Sequence, residues 1–252
     1  HNIGMGQQAG YALTTGTYNV FTGFEAGKAL TTGSYNVTSG YQTGLALTTG
    51  ASNVLIGREA GLGIATVNDN IAIGTYALRA STSSSNAIAI GQNAMRYTTN
   101  QNSESIAIGY RAMQGFGGNQ QTVKNIAIGG SSGLSLNGGD NNTLLGTQSG
   151  RSLVTGTGSV CLGYEAGYSE TASNKLHIAN NQTESLIEGD FSANTVHING
   201  TLSATTITIP DNVIDEANLQ VSNSPTNGYM LTAQSGNTGG LTWAAASGGG
   251  GG

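Results

Sequence analysis

The residues with the clearest catalytic potential in this chain are three glutamates in similar local contexts, Glu25, Glu59 and Glu165. Two carboxylates can hydrolyse a glycosidic bond when one protonates the leaving oxygen and the other activates a water molecule. If the chain forms stacked coils, Glu25 and Glu59 lie two coils or about 10 Å apart, a separation that does not exclude an inverting pair. Gln42 stands between them, however, and no insertion is present that could build a sugar groove. We therefore expect solvated turns at all three glutamates and no catalytic residues.

Two histidines, His177 and His197, each lie between apolar residues of a predicted strand. In a trimer, one inward histidine per chain would give a ring of three imidazoles that could hold a metal ion. Because no His-x-His pair occurs, we favour outward histidines on half-exposed strands and predict no metal site. Residues 4–10 imitate a dinucleotide-binding loop but lack its preceding buried strand and following helix, so no cofactor is expected.

A glycine recurs nearly every 17 residues through the first two-thirds of the chain. The successive spacings are 17, 17, 17, 17, 17, 18, 20, 17 and 17 residues. A fixed period this short indicates one small unit stacked upon itself. We predict an all-β fold, a parallel β-roll solenoid of ten coils. The glycines are Gly6, Gly23, Gly40, Gly57, Gly74, Gly91, Gly109, Gly129, Gly146 and Gly163.

The positions three and one residues before each glycine lie on one face of a predicted strand, because side chains alternate along a strand. β-branched residues dominate both positions, as a packed strand prefers. We predict that they form the core of each coil. The predicted core residues are Val20, Val37, Val54, Ile56, Ile71, Ile73, Ile88, Ile90, Ile106, Ile108, Ile126 and Ile128.

A second short strand is expected to return across each coil after the glycine turn. Thr-Gly turns, such as Thr15-Gly16, would then close the coil. The apolar residues in register on this second strand are Leu13, Leu30, Leu47, Ile64, Phe116, Leu136 and Leu153.

The position two residues before each glycine lies on the opposite face of the first strand and is apolar from Leu55 onward. A strand that is apolar on both faces is buried on both faces. The coil interior accounts for only one of them, so we predict that the other packs around a three-fold axis in an intertwined homotrimer. The alternative is that small alanine side chains tolerate exposure. The predicted trimer interface comprises Leu55, Ala72, Ala89, Ala107, Ala127, Leu144 and Cys161.

Five segments follow from where the repeat ends. Residues 1–168 form the predicted β-roll shaft. Residues 169–209 are predicted as a strand-rich trimeric connector, with strands at 175–178, 195–198 and 201–209 and a turn at 188–190. Residues 210–224 are predicted as a short helix or linker, 225–246 as a C-terminal β segment with strands at 229–232 and 241–243, and 247–252 as a glycine-rich linker or the start of a tip.

The composition limits the classes of partner. Charged residues make up 8% of the chain, against roughly 25% in an ordinary domain. The net charge of -5 provides no basic surface for nucleic acid. No apolar run approaches 18 residues, so no membrane insertion is expected. The chain begins within a repeat at His1, and we expect further residues before it in the natural protein.

The motif Asn-(Ile/Val)-x-Ile-Gly-x-x-Ala occurs at residues 70–77, and its first half recurs at residues 125–129. It resembles the head repeat of YadA-like trimeric adhesins, which forms a left-handed parallel β-roll with three chains per head. Residues 174–178, 187–191 and 196–202 look like the strand-rich part that follows such repeats in bacteriophage tail fibres. Residues 225–243 are similar to stretches in tail fibres of marine phages, cyanophages especially. The period of 17 is longer than that of the adhesin repeat, which implies longer turns.

This resemblance implies a structural phage tail-fibre protein, a trimeric shaft that presents a host-receptor-binding tip for attachment to the host cell surface. Its place would be the virion, outside the cell. Its partners would be two identical chains, other virion tail proteins and a host cell-surface glycan or protein.

Two other functions remain open at this point. One is a YadA-like adhesin of the bacterial cell surface, and the other is a fibre-borne glycan depolymerase, which would need a carboxylate pair in a groove. Four aromatic residues just after the repeat glycines allow a glycan contact, although packing between coils or chains is favoured. They are Phe24, Tyr41, Tyr110 and Tyr164.

Overall fold

The computed structural model describes residues 1–98, 103–115 and 122–205, and the backbone of two further strands at 229–233 and 241–245. The chain divides into two compact units, residues 1–202 and 203–252. Within the described residues all regular structure is β and no helix occurs, as the sequence predicts.

The first unit contains a solenoid of about ten coils, each contributing one three-residue strand that ends just before a repeat glycine. Each strand pairs in parallel with the next, with equivalent residues opposite each other, such as Leu55 with Ala72. The predicted ten-coil parallel β-solenoid is therefore confirmed. The strands are β1 (Ile3–Met5), β2 (Val20–Thr22), β3 (Val37–Ser39), β4 (Val54–Ile56), β5 (Ile71–Ile73), β6 (Ile88–Ile90), β7 (Ile106–Ile108), β8 (Ile126–Ile128), β9 (Thr143–Leu145) and β10 (Val160–Leu162).

The predicted second strand of each coil is replaced by turns and bends. The positive φ values at Glu59 and Gly61 belong to the tight turn that was expected after the repeat glycine, and no strand follows this turn. Hydrogen bonds between coils persist, as in the 2.8 Å bond from the Thr48 amide to the Ala65 carbonyl. Of the predicted apolar column, Phe116 lies outside the described residues and Leu13 is partly buried. The buried members are Leu30, Leu47, Ile64, Leu136 and Leu153.

The strand face predicted to point into the coil points outward, and the face predicted to point outward lines the coil interior. The middle residue of each strand points into the coil, and every residue predicted for the trimer interface is fully buried within a single chain: Leu55, Ala72, Ala89, Ala107, Ala127, Leu144 and Cys161. None of the β-branched residues predicted as core is buried; they point out of the coil: Val20, Val37, Val54, Ile56, Ile71, Ile73, Ile88, Ile90, Ile106, Ile108, Ile126 and Ile128. Alternation separates two faces but does not say which is inside. The narrow coil interior is filled by small strand residues and by turn residues such as Ala60 and Leu47.

Side-chain volume in the interior is balanced between the strand and the turn that faces it. Where the middle strand residue is large, as at Leu55, the turn carries a glycine, because a Cβ added at Gly61 would come within 2.8 Å of the Leu55 side chain. Where that residue is Ala72, the equivalent turn position is the fully buried Leu78. Met95 plays the same part opposite Ala89. The large side chain that fills this part of the interior thus comes from the strand in some coils and from the turn in others, and the interior stays close-packed.

A buried asparagine four residues before the repeat glycine connects the coils. The Asn53 amide nitrogen and side-chain Nδ2 both donate to Asn36 Oδ1, at 3.0 and 3.1 Å, and Nδ2 also donates to the Val67 carbonyl at 2.9 Å. Asn70 repeats the pattern one coil later by donating to Asn53 Oδ1. This asparagine ladder satisfies backbone donors and acceptors that the solenoid buries. Ala87 and Ser105 interrupt it in the sixth and seventh coils.

The solenoid continues into β11 (Lys175–Ile178), which pairs in parallel with β10, so that His177 lies opposite Cys161. The antiparallel strands β12 (Ile187–Asp190) and β13 (Thr195–Ile198) then complete a sheet of thirteen strands. The predicted strands at 175–178 and 195–198 are confirmed. The predicted turn at 188–190 is wrong, because these residues lie within β12 and the turn follows at 191–194.

Beyond β13, residues 201–205 form no strand, and residues 206–209 of the predicted strand lie outside the described residues. The second unit contains an antiparallel pair, β14 (Tyr229–Ala233) and β15 (Leu241–Ala245), which confirms the strands predicted there. The predicted helix or linker at 210–224 and the glycine-rich segment at 247–252 also lie outside the described residues.

Substitution of a repeat glycine is expected to destabilise the solenoid. Gly74 has φ +127°, and a Cβ there would come within 2.7 Å of the Gly91 carbonyl carbon. Gly74→Ala should cost about 2–4 kcal/mol through backbone strain and displacement of the next coil, which thermal unfolding will measure. Gly130→Ala is the matched control, since its Cβ would make only ordinary contacts, with Thr147 Cγ2 at 3.8 Å and the Tyr110 carbonyl oxygen at 4.0 Å. Equal losses in melting temperature for both variants would contradict this interpretation.

The asparagine ladder can be tested in both directions. Asn53→Ala leaves the buried Asn70 amide without its acceptor and should lower stability by about 1–3 kcal/mol. Ser105 already accepts from the Asn125 amide at 3.2 Å and donates to the Thr122 carbonyl at 3.4 Å. Ser105→Asn would shorten both contacts, so we expect equal or higher stability in urea unfolding. A loss from Ser105→Asn as large as that from Asn53→Ala would argue against the ladder.

Candidate functional site

The strand residues that point outward form a long apolar surface, which we call the outer sheet face. It consists of the residues three and one positions before each repeat glycine, in β1 to β10. Ile56, Ile128 and Leu145 are 38%, 39% and 37% exposed, and no residue of the face is buried. Most of its other members are half-buried. Large contiguous apolar surfaces are uncommon on protein exteriors, so this face is a candidate interaction surface.

The outer sheet face carries no charge. None of the ten strands contains Asp, Glu, Lys or Arg, and Thr22, Ser39 and Thr143 are the polar residues among its members. The centres of protein interfaces are depleted in charged residues in the same way. The face can therefore be buried against another protein surface without leaving an unpaired charge in the contact.

The three glutamates occupy turn positions with φ values of 53–55°, as the repeat predicts. Glu25 accepts hydrogen bonds from Lys28 Nζ at 2.6 Å and Gln42 Nε2 at 2.8 Å, and these bonds lower the pKa of Glu25. Glu59 is only 7% exposed and accepts from Arg79 Nε at 2.6 Å, so its predicted solvated environment is wrong. A glycosidase needs one carboxyl group with a raised pKa as its acid, and Glu25 has the opposite shift.

The aromatic residues after the repeat glycines pack between coils where they are adjacent. The rings of Phe24 and Tyr41 stack with centroids 5.4 Å apart, and Tyr18 and Tyr35 form a similar pair at 5.3 Å. Stacking covers ring faces that a sugar would use. The interpretation favoured from the sequence, packing between coils, thus holds for Phe24 and Tyr41. Tyr110 and Tyr164 are 53% and 51% exposed.

His177 lies in the interior column of the solenoid, where earlier coils carry the middle strand residue. Its Nδ1 lies 3.0 Å from Ser185 Oγ, and its Nε2 lies 3.0 Å from Glu170 Oε2. The prediction of an outward histidine is therefore wrong for His177, because β11 keeps the register of β10. His197 lies on β13, is exposed and is opposite Glu188 in the register.

When a hydroxyl, an imidazole and a carboxylate are connected in this order, the imidazole can take the hydroxyl proton and the carboxylate can orient the imidazole. Acyl transfer also needs amide donors directed at the developing oxyanion. The nearby amides of Thr183 and Glu184 already donate to Asn181 Oδ1, at 2.9 and 2.8 Å. These amides are therefore not directed at a substrate. The cluster closes the end of the solenoid interior with polar groups that hydrogen-bond one another: Glu170, His177 and Ser185.

Glu170 and Cys161 show how this end differs from the rest of the interior. Burial opposes ionisation of Glu170, but the amides of Ala172 and Thr171 and the His177 ring outweigh it and lower the Glu170 pKa. The stabilisation from this ionised carboxyl is present above its unfolded pKa and is lost as the pH falls through the folded value. Burial, with a smaller effect of the Glu170 charge, raises the pKa of the Cys161 thiol to about 12.

Sequence reasoning missed Glu170 and Ser185 as partners of His177. A signal for Glu170 was present, since it stands seven residues after Gly163, where Leu153 follows Gly146. A charged residue at a position that carries leucine in other coils indicates the end of the repeat. Ser185 had no comparable signal, because its approach to His177 depends on the path between β11 and β12.

The described residues contain no cluster of three or more His, Cys, Asp or Glu side chains able to hold a metal ion. Among these residues there is also no helix with the length and apolar character to cross a bilayer. No family model matches the chain, and no curated protein or solved structure shows significant similarity to it.

The Cys161 thiol should be inert to alkylation in the folded protein. Its raised pKa keeps the thiolate fraction low at pH 8, and the buried sulfur is inaccessible. We expect iodoacetamide to label the native chain at least a hundredfold more slowly than the urea-unfolded chain, as measured by mass spectrometry. In a Cys161→Ala background, Thr66→Cys places a thiol at an exposed position and should react rapidly without denaturant. Comparable rates for Cys161 and Thr66→Cys would refute the interior position of Cys161.

Proposed function

We propose that this chain is a structural component of a bacteriophage tail fibre, a homotrimeric shaft that presents a host-receptor-binding tip. The observation that carries the proposal is the outer sheet face, which is uncharged and predominantly apolar along ten coils. A lone chain would expose this whole surface to water. Burial contributes about 25 cal/mol for each Å² of apolar surface removed from water.

The repeat supports association of identical chains side by side. Every coil presents the same outward positions at the same spacing, so two copies aligned in parallel match along their whole length. Most homo-oligomers are closed and symmetric, and a rotation axis parallel to the solenoid satisfies this condition. The number three comes from the resemblance of residues 70–77 to the YadA-like head repeat. In this proposal the chains meet through the outer sheet face. The interface predicted from the sequence, around Leu55, is not used, because those residues lie inside each coil.

A shaft function suits the construction of the coils. Short turns, a buried asparagine ladder and backbone hydrogen bonds between all described coils leave few segments able to open locally. Resistance to bending and to proteases is what a fibre exposed outside a cell requires. In this proposal the shaft has no catalytic role, and its other partners are virion tail proteins and a glycan or protein of the host surface.

A YadA-like bacterial adhesin is the second candidate, favoured by the same motif at residues 70–77. Both functions would use the same trimer, so the oligomeric state does not separate them. Antibodies raised against the purified chain will do so. Labelling of intact phage particles along a fibre supports the tail-fibre proposal, and labelling of the surface of uninfected bacteria contradicts it.

The trimer itself is tested by a charge on the outer sheet face. Ile90→Glu would place like charges in the proposed contact, so we expect the variant to sediment as a monomer while its far-ultraviolet spectrum is unchanged. Thr66→Glu, at an exposed turn, is the control and should remain trimeric. By contrast, Ala107→Glu would bury a charge inside the seventh coil of each chain and should prevent folding. A stable monomer for the unmodified chain in analytical ultracentrifugation would refute the proposal.

A further inference from the structure

Three arginines from successive coils converge on one tyrosine ring. The Cζ atoms of Arg58, Arg79 and Arg96 lie 5.3, 5.6 and 4.5 Å from the centroid of the Tyr76 ring. The Arg96 guanidinium also lies 4.7 Å from the Tyr97 ring centroid. We call Arg58, Arg79 and Arg96 the arginine row, because they belong to the fourth, fifth and sixth coils and follow the solenoid axis.

The arginine row has an excess of positive charge in an otherwise acidic chain. Among the described residues, Glu59 is the carboxylate paired with it, 2.6 Å from Arg79 Nε and 3.4 Å from Arg58 Nε. Three guanidinium groups and one carboxylate leave two positive charges at this place, whereas the whole chain has a net charge of -5. The chain has only eight Lys and Arg residues, so this clustering sets the surface apart from the rest of the solenoid.

The row is accessible and partly pre-organised. The Arg58 and Arg79 side chains are 58% and 36% exposed. Glu59 holds one edge of Arg79, Asn93 Oδ1 accepts from Arg96 Nη1 at 3.1 Å, and Tyr76 fixes the position of all three groups. Side chains that are already ordered lose less entropy when a ligand binds. The remaining guanidinium N–H groups can donate two parallel hydrogen bonds to a carboxylate or sulfate.

We propose that the arginine row is a lateral binding site for an acidic polysaccharide, a linear glycan with carboxylate or sulfate groups on successive sugars. The three guanidinium groups come from three successive coils, so a linear polyanion that runs along the solenoid can contact more than one of them. Nucleic acid is disfavoured because Arg96 lies over both Tyr76 and Tyr97, which occupies ring faces that bases would stack on.

This site deepens the proposed function, on which it rests, by naming a class of host-surface glycan and by placing a contact on the shaft as well as at a tip. The sequence suggested a glycan contact through aromatic rings, but two of these rings, Phe24 and Tyr41, are stacked on each other. The arginine row would instead bind a glycan through its positive charge. Binding there should weaken as the salt concentration rises, because exposed charge pairs are screened.

The test uses the full chain and immobilised polygalacturonate, with dextran as the neutral probe and duplex DNA as the competing polyanion. We expect binding to polygalacturonate in 50 mM salt, a marked loss in 300 mM salt, and none to dextran. Arg58→Gln/Arg79→Gln should weaken binding at least tenfold. Lys28→Gln/Lys124→Gln removes the same charge elsewhere on the solenoid and should weaken it less than twofold.

Three results would overturn the proposal: no binding to polygalacturonate, equal weakening by both double variants, or tighter binding to duplex DNA. Sedimentation of every variant separates this site from the shaft function. A trimer that does not bind the glycan refutes the arginine row alone. A monomeric chain refutes the trimeric shaft, whatever it binds.

Discussion

Every coil of the solenoid lies one strand spacing, about 4.8 Å, from the next, so a residue at a given position always meets its own equivalents. The rest of the structure depends on this constraint, because it admits only residues that tolerate a neighbour of the same kind. Asparagine satisfies it, since its side chain both donates and accepts. Glycine satisfies it where backbones approach closely, and aromatic rings satisfy it by stacking, as Tyr18 and Tyr35 do. A charged side chain does not, which explains why only 8% of the chain is charged.

Several of the few charges lie where the repeat changes from one coil to the next. Glu25 is followed in its column by Gln42, which donates to it, and Glu59 is followed by Tyr76. Arg58 follows its repeat glycine by one residue, whereas Arg79 and Arg96 occupy the same position of adjacent coils. The Tyr76 ring and the Glu59 carboxylate lie beside these groups and offset part of their charge. The same logic applies at the end of the stack. Glu170 and His177 occupy interior positions only where no further coil follows to place equivalent charges beside them.

Much of the fold could be predicted from the sequence because the repeat multiplies a weak signal. A single Ile-Ala-Ile-Gly stretch is ambiguous, but ten aligned copies determine the strand positions, the parallel pairing and the coil number. The orientation of the strand could not be predicted in the same way. Ala72 and Ile73 differ by one position, and either face is apolar enough to be inside. The width of the coil decides which face points inward. This width depends on turn residues with positive φ, such as Glu59 and Tyr76, and sequence propensities do not predict those φ values. The candidate site was least predictable, since the approach of Ser185 to His177 and of Arg58 to Tyr76 depends on contacts distant in sequence.

The interruption of the asparagine ladder has a mechanical consequence. The strands lie across the solenoid axis, so the hydrogen bonds between coils point along it, and a pulling force on a fibre would pass through every coil junction in series. A chain of junctions in series yields at its weakest member, whatever the strength of the others. Ala87 cannot supply the side-chain acceptor that Asn36 and Asn53 supply to the coils that follow them. Under tension, the junction after the sixth coil would therefore open first, and the other coils would remain folded as it extends.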